Sequence, residues 1–248
     1  MLFRSEPFHR IIWQVPAALY RLMHHSFNSE QIQVVAQDAP LNRTRIDFEL
    51  PMMSLPFALG LTLENFSALP NYLSVPDELS QRFAAKLADI QGLKVGLAWT
   101  GKPSLAKHGL RRLPTELLPL LTTPGVTFVS LQKFDAQHEI ETPNLAPFVN
   151  VMGECQDFMD TAALIQQLDL VISVDTVIVH LAAALGKPTW LLNRFGSEWR
   201  WMHQRSDSPW YPSLTIYNQK TVNDWTDVLT QIQSDLIQFS PVQESRHV

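Results

Sequence analysis

The stretch LVISVDTVIVHLAAALGKPTWLL, Leu170 to Leu192, decides the fold. It opens with a run, Leu170–Val174, that is apolar on both faces of a strand. A helix-length segment follows from Thr176 to Leu185, then a stop at Gly186-Lys187-Pro188 and a second apolar strand, Thr189–Leu192. As one bilayer span these residues would place Asp175, His180 and Lys187 in hydrocarbon and a proline inside the helix, which is costly. A strand, a helix and a strand in a covered core is the reading, and no transmembrane segment is expected.

The same alternation extends outward. Leu79–Ile90 is predicted as an amphipathic helix, Lys94–Trp99 as a buried strand and Pro114–Leu121 as a helix started by proline. Val126–Leu131 is predicted as a second buried strand, Phe148–Met152 as a third, Met159–Leu168 as a helix, and Trp225–Ile237 as the closing helix. Strands apolar on both faces with helix-length connections form a parallel sheet covered on both sides, in the Rossmann manner. Residues 77–240 are expected to be one complete α/β domain, followed by a tail over 241–248. Residues 1–76 supply less: strand-like Ile11–Val15, helical Ala17–Phe27, strand-like Ile32–Ala36, and a Pro-, Asn- and Ser-rich crossing from Pro40 to Pro76. They are expected to be a truncated N-terminal α/β portion.

Composition bounds the partners. The chain has 248 residues, 46% hydrophobic and 17% charged, enough apolar surface for a real core and too much for global disorder. With 19 basic and 24 acidic residues it carries a net charge of −5 and no long block of one sign, which argues against a nucleic-acid partner. Its one cysteine, Cys155, cannot form an internal disulfide, so a reduced, cytoplasmic setting is expected. Arg4, Glu6, His9 and Arg10 leave no apolar signal core at the N-terminus.

In an open parallel sheet ligands bind beyond the carboxyl ends of the strands. After Lys94–Trp99 stand Thr100, Gly101, Lys102 and Pro103, which suit close approach of a phosphate to backbone N–H groups or an ordinary Gly-Pro turn. Lys107, His108, Arg111 and Arg112 follow, a basic cluster ahead of the Pro114 helix that suits a diphosphate or a solvated loop. Gln132, after the next strand, is placed to bond a ribose or base edge, or is a surface residue. Asp160 or Thr161 reads most economically as a helix N-cap. The strongest signal is Asp175-Thr176 at a strand-to-helix turn, with His180 one helical turn later on the same face. An aspartate and a histidine in so apolar a run need partners, either each other and nearby backbone or a ligand. His24-His25 has no further ligand at metal spacing and Cys155 no evident base, so no metal site and no catalytic nucleophile is read. Trp199, Trp201, Trp210 and Tyr211 are expected to pack the C-terminal helix against the sheet, the alternative being a docking surface.

With VGLAWTGKP, FVSLQ, WRW and SPWYPS in order beside the stretch from Asp160 to Leu192, residues from about Asp47 to Ile237 resemble the C-terminal domain of bacterial glycosyltransferases that carry tetratricopeptide repeats. These are related to the heptosyltransferase-type family nine. The resemblance implies a GT-B-like fold, with a nucleoside-diphosphate sugar held by the C-terminal domain, and transfer of a hexosyl or heptosyl group to an acceptor hydroxyl, inverting and without a metal or other cofactor. It places Thr100, Gly101 and Arg111 at the donor phosphates, Gln132 near the ribose, Asp175, Thr176 and Val177 at the diphosphate and sugar, and His180 on the adjoining helix. It identifies no catalytic base and no acceptor, whether protein, lipid or glycan. Val177 stands where the family usually has Gly or Ala, and LAKHGL replaces its polar run ahead of the basic position. The alternative is a non-catalytic nucleotide or nucleotide-sugar binding protein that lacks the N-terminal half-site.

Overall fold

The computed structural model describes residues 10–42, 46–101, 112–133, 144–145 and 147–239. The deciding stretch folds as read. Strand β6, Leu170–Val174, and strand β7, Thr189–Asn193, are buried at every position and flank helix α4, Val177–Ala184. Strands β3 (Leu93–Ala98), β4 (Val126–Ser130), β5 (Phe148–Val149) and β8 (Leu214–Asn218) complete a six-stranded sheet in the order β5-β4-β3-β6-β7-β8. Every pairing is parallel. The chain lays β3, β4 and β5 outward in one direction, then returns to add β6, β7 and β8 on the other side of β3. That order is doubly wound, and its reversal lies between β3 and β6.

Two layers cover the sheet. Helix α5, Thr226–Phe239, and the 3₁₀ segment Thr115–Leu121 bury Leu97, Phe128, Ile172 and Leu192 with Trp225, Ile232 and Leu236. On the other face lie helix α2, Asp77–Lys86, helix α3, Phe158–Gln166, and α4, over Ala98, Val129, Leu131 and Val171. Burying such a residue contributes roughly 1.5–3 kcal/mol, so these layers supply most of the driving force for folding.

The N-terminal portion is a small unit of its own, with β1 (Ile11–Val15) and β2 (Ile32–Ala36) paired in parallel across helix α1, Ala17–Phe27. It is docked rather than detached. Leu22 of α1 is fully buried in the same apolar cluster as Phe83 and Met159. Beside it, Arg21 Nη1 reaches Asp157 Oδ2 at 3.0 Å and Asp160 Oδ1 at 3.4 Å.

Local chemistry explains where the elements differ from expectation. Thr115–Leu121 is 3₁₀ rather than α, with Pro119 inside it, whose ring would clash with the carbonyl four residues back in an α-turn. Asp157, not Asp160 or Thr161, caps α3: its Oδ1 accepts from the N–H groups of Met159 and Asp160 at 2.9 and 3.2 Å. Asp160 sits inside the first turn, where Oδ2 accepts from the Gln156 N–H at 2.8 Å. The third strand stops at Val149 because Asn150 Oδ1 takes the Met152 N–H and starts a 3₁₀ turn. Edge strand β8 is additional to the expected elements, an alternating LTIYN run beneath the proline-rich SPWYPS segment. Among the described residues no helix is long and apolar enough to cross a membrane.

The amino ends of β3 and β4 meet at two glycines. Gly92 has φ +77°, and a Cβ there would lie 2.3 Å from the Gly125 carbonyl oxygen, which accepts the Leu93 N–H at 2.9 Å. Gly60, with φ +60°, has open space around it. In urea denaturation Gly60→Ala is expected to cost about 1–2 kcal/mol, the left-handed penalty alone, and Gly92→Ala clearly more, because a backbone carbonyl must also move.

Candidate functional site

The crevice at the strand-order reversal is built from the exits of β3, β4 and β6. Ala98 lies level with Ser173 in the β3–β6 ladder, so Thr100-Gly101 and Asp175-Thr176 leave the sheet side by side. A Cβ on Gly101 would sit 3.8 Å from Thr176 Cγ2, which puts the two exits in van der Waals contact. Gln132, beyond β4, turns inward: its Oε1 accepts the Thr100 N–H at 3.2 Å. The carboxamide thus holds the β3 exit in place.

Thr176 is the N-cap of α4. Its Oγ1 accepts the Ile178 N–H at 3.3 Å and lies 3.2 Å from Ser173 Oγ. Ser173 donates its own proton to the Val174 carbonyl at 2.7 Å, so in that hydroxyl pair Thr176 is the donor. Capping by a side-chain oxygen leaves the rest of the first turn directed out of the sheet, where an anion is favoured. Val177 begins that turn and is exposed, its methyls at the mouth of the crevice.

Asp175 is only 7% exposed. Trp201, from the 3₁₀ turn Trp199–Trp201 after β7, donates its indole N–H to Asp175 Oδ1 at 3.1 Å. The same indole stacks on His180, centroids 5.1 Å apart and planes at 19°. His180 Nδ1 is 3.0 Å from the Tyr211 hydroxyl, which neighbours Tyr72 of the N-terminal crossing. Burial pushes the His180 pKa below its ordinary value, more than the nearby Asp175 carboxylate raises it, so the imidazole is neutral at pH 7.

The structure therefore brings together Thr100, Gly101, Gln132, Asp175, Thr176 and Val177, with His180 one turn behind them. Arg111, like Lys102, Pro103, Lys107 and His108, lies outside the described residues. The sequence reading missed the shell that orients Asp175 and His180. Trp201, Tyr211 and Tyr72 lie far from the strand ends in the chain, and the only available signal was the demand of a buried aspartate and histidine for donors. The expected packing of the Trp199–Tyr211 aromatics on the C-terminal helix is corrected. Trp201 packs with Val179, Ala183 and Leu191 on the α4 side, whereas α5 on the opposite face is met by Trp225 and Trp190. Cys155 is buried, which pushes its thiol up to about 11 and leaves it unreactive. A cavity of about 300 Å³ lined by Gln91, Thr122 and Pro147 opens at the amino ends of the strands, the wrong edge for a ligand of this sheet.

Two outcomes test this geometry. Trp201→Phe keeps a ring against His180 but removes the donor to Asp175, and is expected to cost about 1–3 kcal/mol in chemical denaturation. For His180 the folded-state pKa is below the unfolded one, so its contribution to stability is fully present above the ordinary value of 6.5 and is lost as pH falls below it. His180→Asn should flatten that slope in denaturation midpoints measured from pH 7 downward.

Comparison with known proteins agrees with this architecture. Residues 116–223 match the family model for glycosyltransferase family 9 (heptosyltransferase). The chain is 30% identical over 212 residues to Protein FlbA of Caulobacter vibrioides, covering 80% of this chain and 34% of that protein. A glycosyl transferase family 9 structure from Veillonella parvula superposes with a TM-score of 0.55 at 13% identity, covering 92% of this chain and 86% of that one. ADP-heptose lps heptosyltransferase II of Escherichia coli gives a TM-score of 0.46 at 17% identity over 67% of this chain and 53% of its own. The chain thus spans about a third of its curated relative and about half of that enzyme. Over residues 116–223 it carries a match to the glycosyltransferase family 9 (heptosyltransferase) domain, set in a doubly wound parallel sheet whose fold it shares with a solved family 9 structure.

Proposed function

We propose that this chain binds a nucleoside-diphosphate sugar at the β3–β6 crevice and transfers the sugar to an acceptor hydroxyl. The observation that carries the reading is the junction of Thr100-Gly101 with the Thr176-capped start of α4, at the switch point of a sheet whose residues 116–223 match family 9. Residues 77–240 act as the donor domain of a GT-B-type enzyme, and residues 1–76 as its N-terminal portion. The order of motifs supports kinship with the branch that carries tetratricopeptide repeats, and the lone buried cysteine suits a reduced cytoplasm.

In this reading the diphosphate lies against the first turn of α4, with the Thr100-Gly101 backbone on one side and Arg111 as its cation. Gln132 lies towards the ribose, and Asp175 and neutral His180 towards the sugar. The acceptor oxygen attacks the anomeric carbon as the bond to the diphosphate oxygen breaks, with inversion. The acceptor proton leaves to a base, and the nucleoside diphosphate departs with the bonding electron pair. Helix N–H groups and a guanidinium neutralise that leaving group, so the step needs no metal.

A second reading is nucleotide-sugar binding without transfer, which needs only the donor-side crevice at Thr100-Gly101 and the start of α4.

A thermal-shift screen against UDP, GDP, ADP and their sugars tests the donor site. One nucleotide class is expected to stabilise the chain, by about 2.7 kcal/mol at a hundred times its Kd. Arg111→Ala should weaken that ligand about tenfold or more in calorimetry, the scale of a lost charge-assisted bond. Silence across the whole screen overturns the donor reading, while binding without sugar release to any acceptor or water selects the second.

A further inference from the structure

Beyond the crevice, the carboxyl ends of β7 and β8 hold a feature that the donor reading does not use. Arg194 follows β7 directly and is only 8% exposed, and Gln219 follows β8 and is 6% exposed. Both are tied to the backbone of one residue: Arg194 Nη1 donates to the Phe195 carbonyl at 3.2 Å, and Gln219 Oε1 accepts the Phe195 N–H at 3.0 Å. What remains on each side chain is donor only. Arg194 Nε and Gln219 Nε2 are enclosed and without a hydrogen-bond partner, and Arg194 forms no ion pair among the described residues.

That pattern is unusual in a way that points to a ligand. A buried guanidinium is ordinarily matched by a carboxylate, because an uncompensated charge taken out of water is strongly destabilising. Holding the Phe195 turn needs only the Nη1 edge. The unspent edge, Nε with Nη2, is the side-on fork that meets two oxygens of a carboxylate or phosphate at once. Gln219 Nε2 adds a neutral donor from the neighbouring strand. The β6–β7 ladder sets Val174 level with Leu192, so Arg194 leaves the sheet at the same height as Thr176 and on the same edge.

We infer that Arg194 and Gln219 form an oxyanion-binding site at the ends of β7 and β8, which takes a carboxylate or a phosphate. The site stands on the orphaned donors and does not depend on the nucleotide-sugar reading. It is separated from the Thr176 crevice by one strand, so a single substrate bearing a second anionic group can reach both.

The test uses the full chain and two probes, inorganic pyrophosphate and D-glucuronate, titrated in thermal-shift and calorimetric experiments. At least one of them is expected to stabilise the wild type. Response to pyrophosphate alone assigns phosphate, and response to glucuronate alone assigns carboxylate. Arg194→Lys keeps the charge but loses the fork, and should weaken the response about tenfold or more. Gln219→Glu keeps the acceptor for Phe195 and sets an internal carboxylate beside Arg194. It should raise the unliganded midpoint and abolish the response, which keeps the proposal testable if a substitution of Arg194 fails to fold. Thr176→Val separates the two sites: it weakens nucleotide diphosphate and leaves intact the Arg194-dependent response to whichever probe gives it. No response of the wild type to either probe, or a response unchanged in both Arg194→Lys and Gln219→Glu, overturns the site.

Discussion

Parallel pairing of β3 with β6 is the constraint on which the rest of the molecule depends. The two strands are far apart in sequence, yet their ladder sets Ala98 level with Ser173. Because the pairing is parallel, both chains leave the sheet at the same edge, and because the order reverses there, their following segments diverge to opposite faces. The gap between those departures is lined by Thr100, Gly101 and the capped start of α4. An antiparallel partner, or β6 placed next to β4, would scatter the same residues.

The walls of the crevice are fixed by hydrogen bonds that spend the polar atoms of the site on its own backbone and on one indole. Gln132 uses its oxygen on the Thr100 N–H, Thr176 uses its oxygen on the Ile178 N–H, and Asp175 accepts from Trp201. Such bonds add little net stability each, but breaking one inside the protein strands a polar group at considerable cost. The result is a rim whose geometry is set before any ligand arrives, the condition for electrostatic preorganisation. The chain from Asp175 through Trp201 and His180 to Tyr211 and Tyr72 carries that rigidity into the N-terminal crossing. There Tyr72 and Leu73 both donate backbone N–H groups to the Ala184 carbonyl at the end of α4.

Arg194 and Gln219 show the opposite economy. Their acceptor and one guanidinium N–H are committed to the Phe195 backbone, while two enclosed donors face no acceptor. Trp13 Nε1 and Ser213 Oγ are also enclosed without a partner, but Arg194 and Gln219 stand at the edge of the sheet where ligands bind. The two behaviours sit one strand apart, so the carboxyl edge combines a preformed cradle with an uncompensated positive charge.

Sequence alone determined the layers. The double-sided apolarity of Leu170–Val174 and Val126–Ser130 required covering on both faces, and Gly186-Lys187-Pro188 and Pro114 fixed where helices stop and start. It also pointed to Thr100, Gly101, Asp175 and Thr176, because position after a buried parallel strand is a local property. Where a single side chain decided the outcome, as with Asp157 as the cap and Pro119 in the 3₁₀ turn, the reading missed by a few residues or by helix type. Only the tertiary structure decided the partners: which donor meets Asp175, which hydroxyl meets His180, and that Arg194 meets no acid among the described residues. Those two contacts span 26 and 31 residues along the chain, and the docking of Arg21 on Asp157 spans 136. Periodicity reports how a residue faces its own element. Which residue stands opposite is set by strand order, and strand order follows from packing the whole sheet at once.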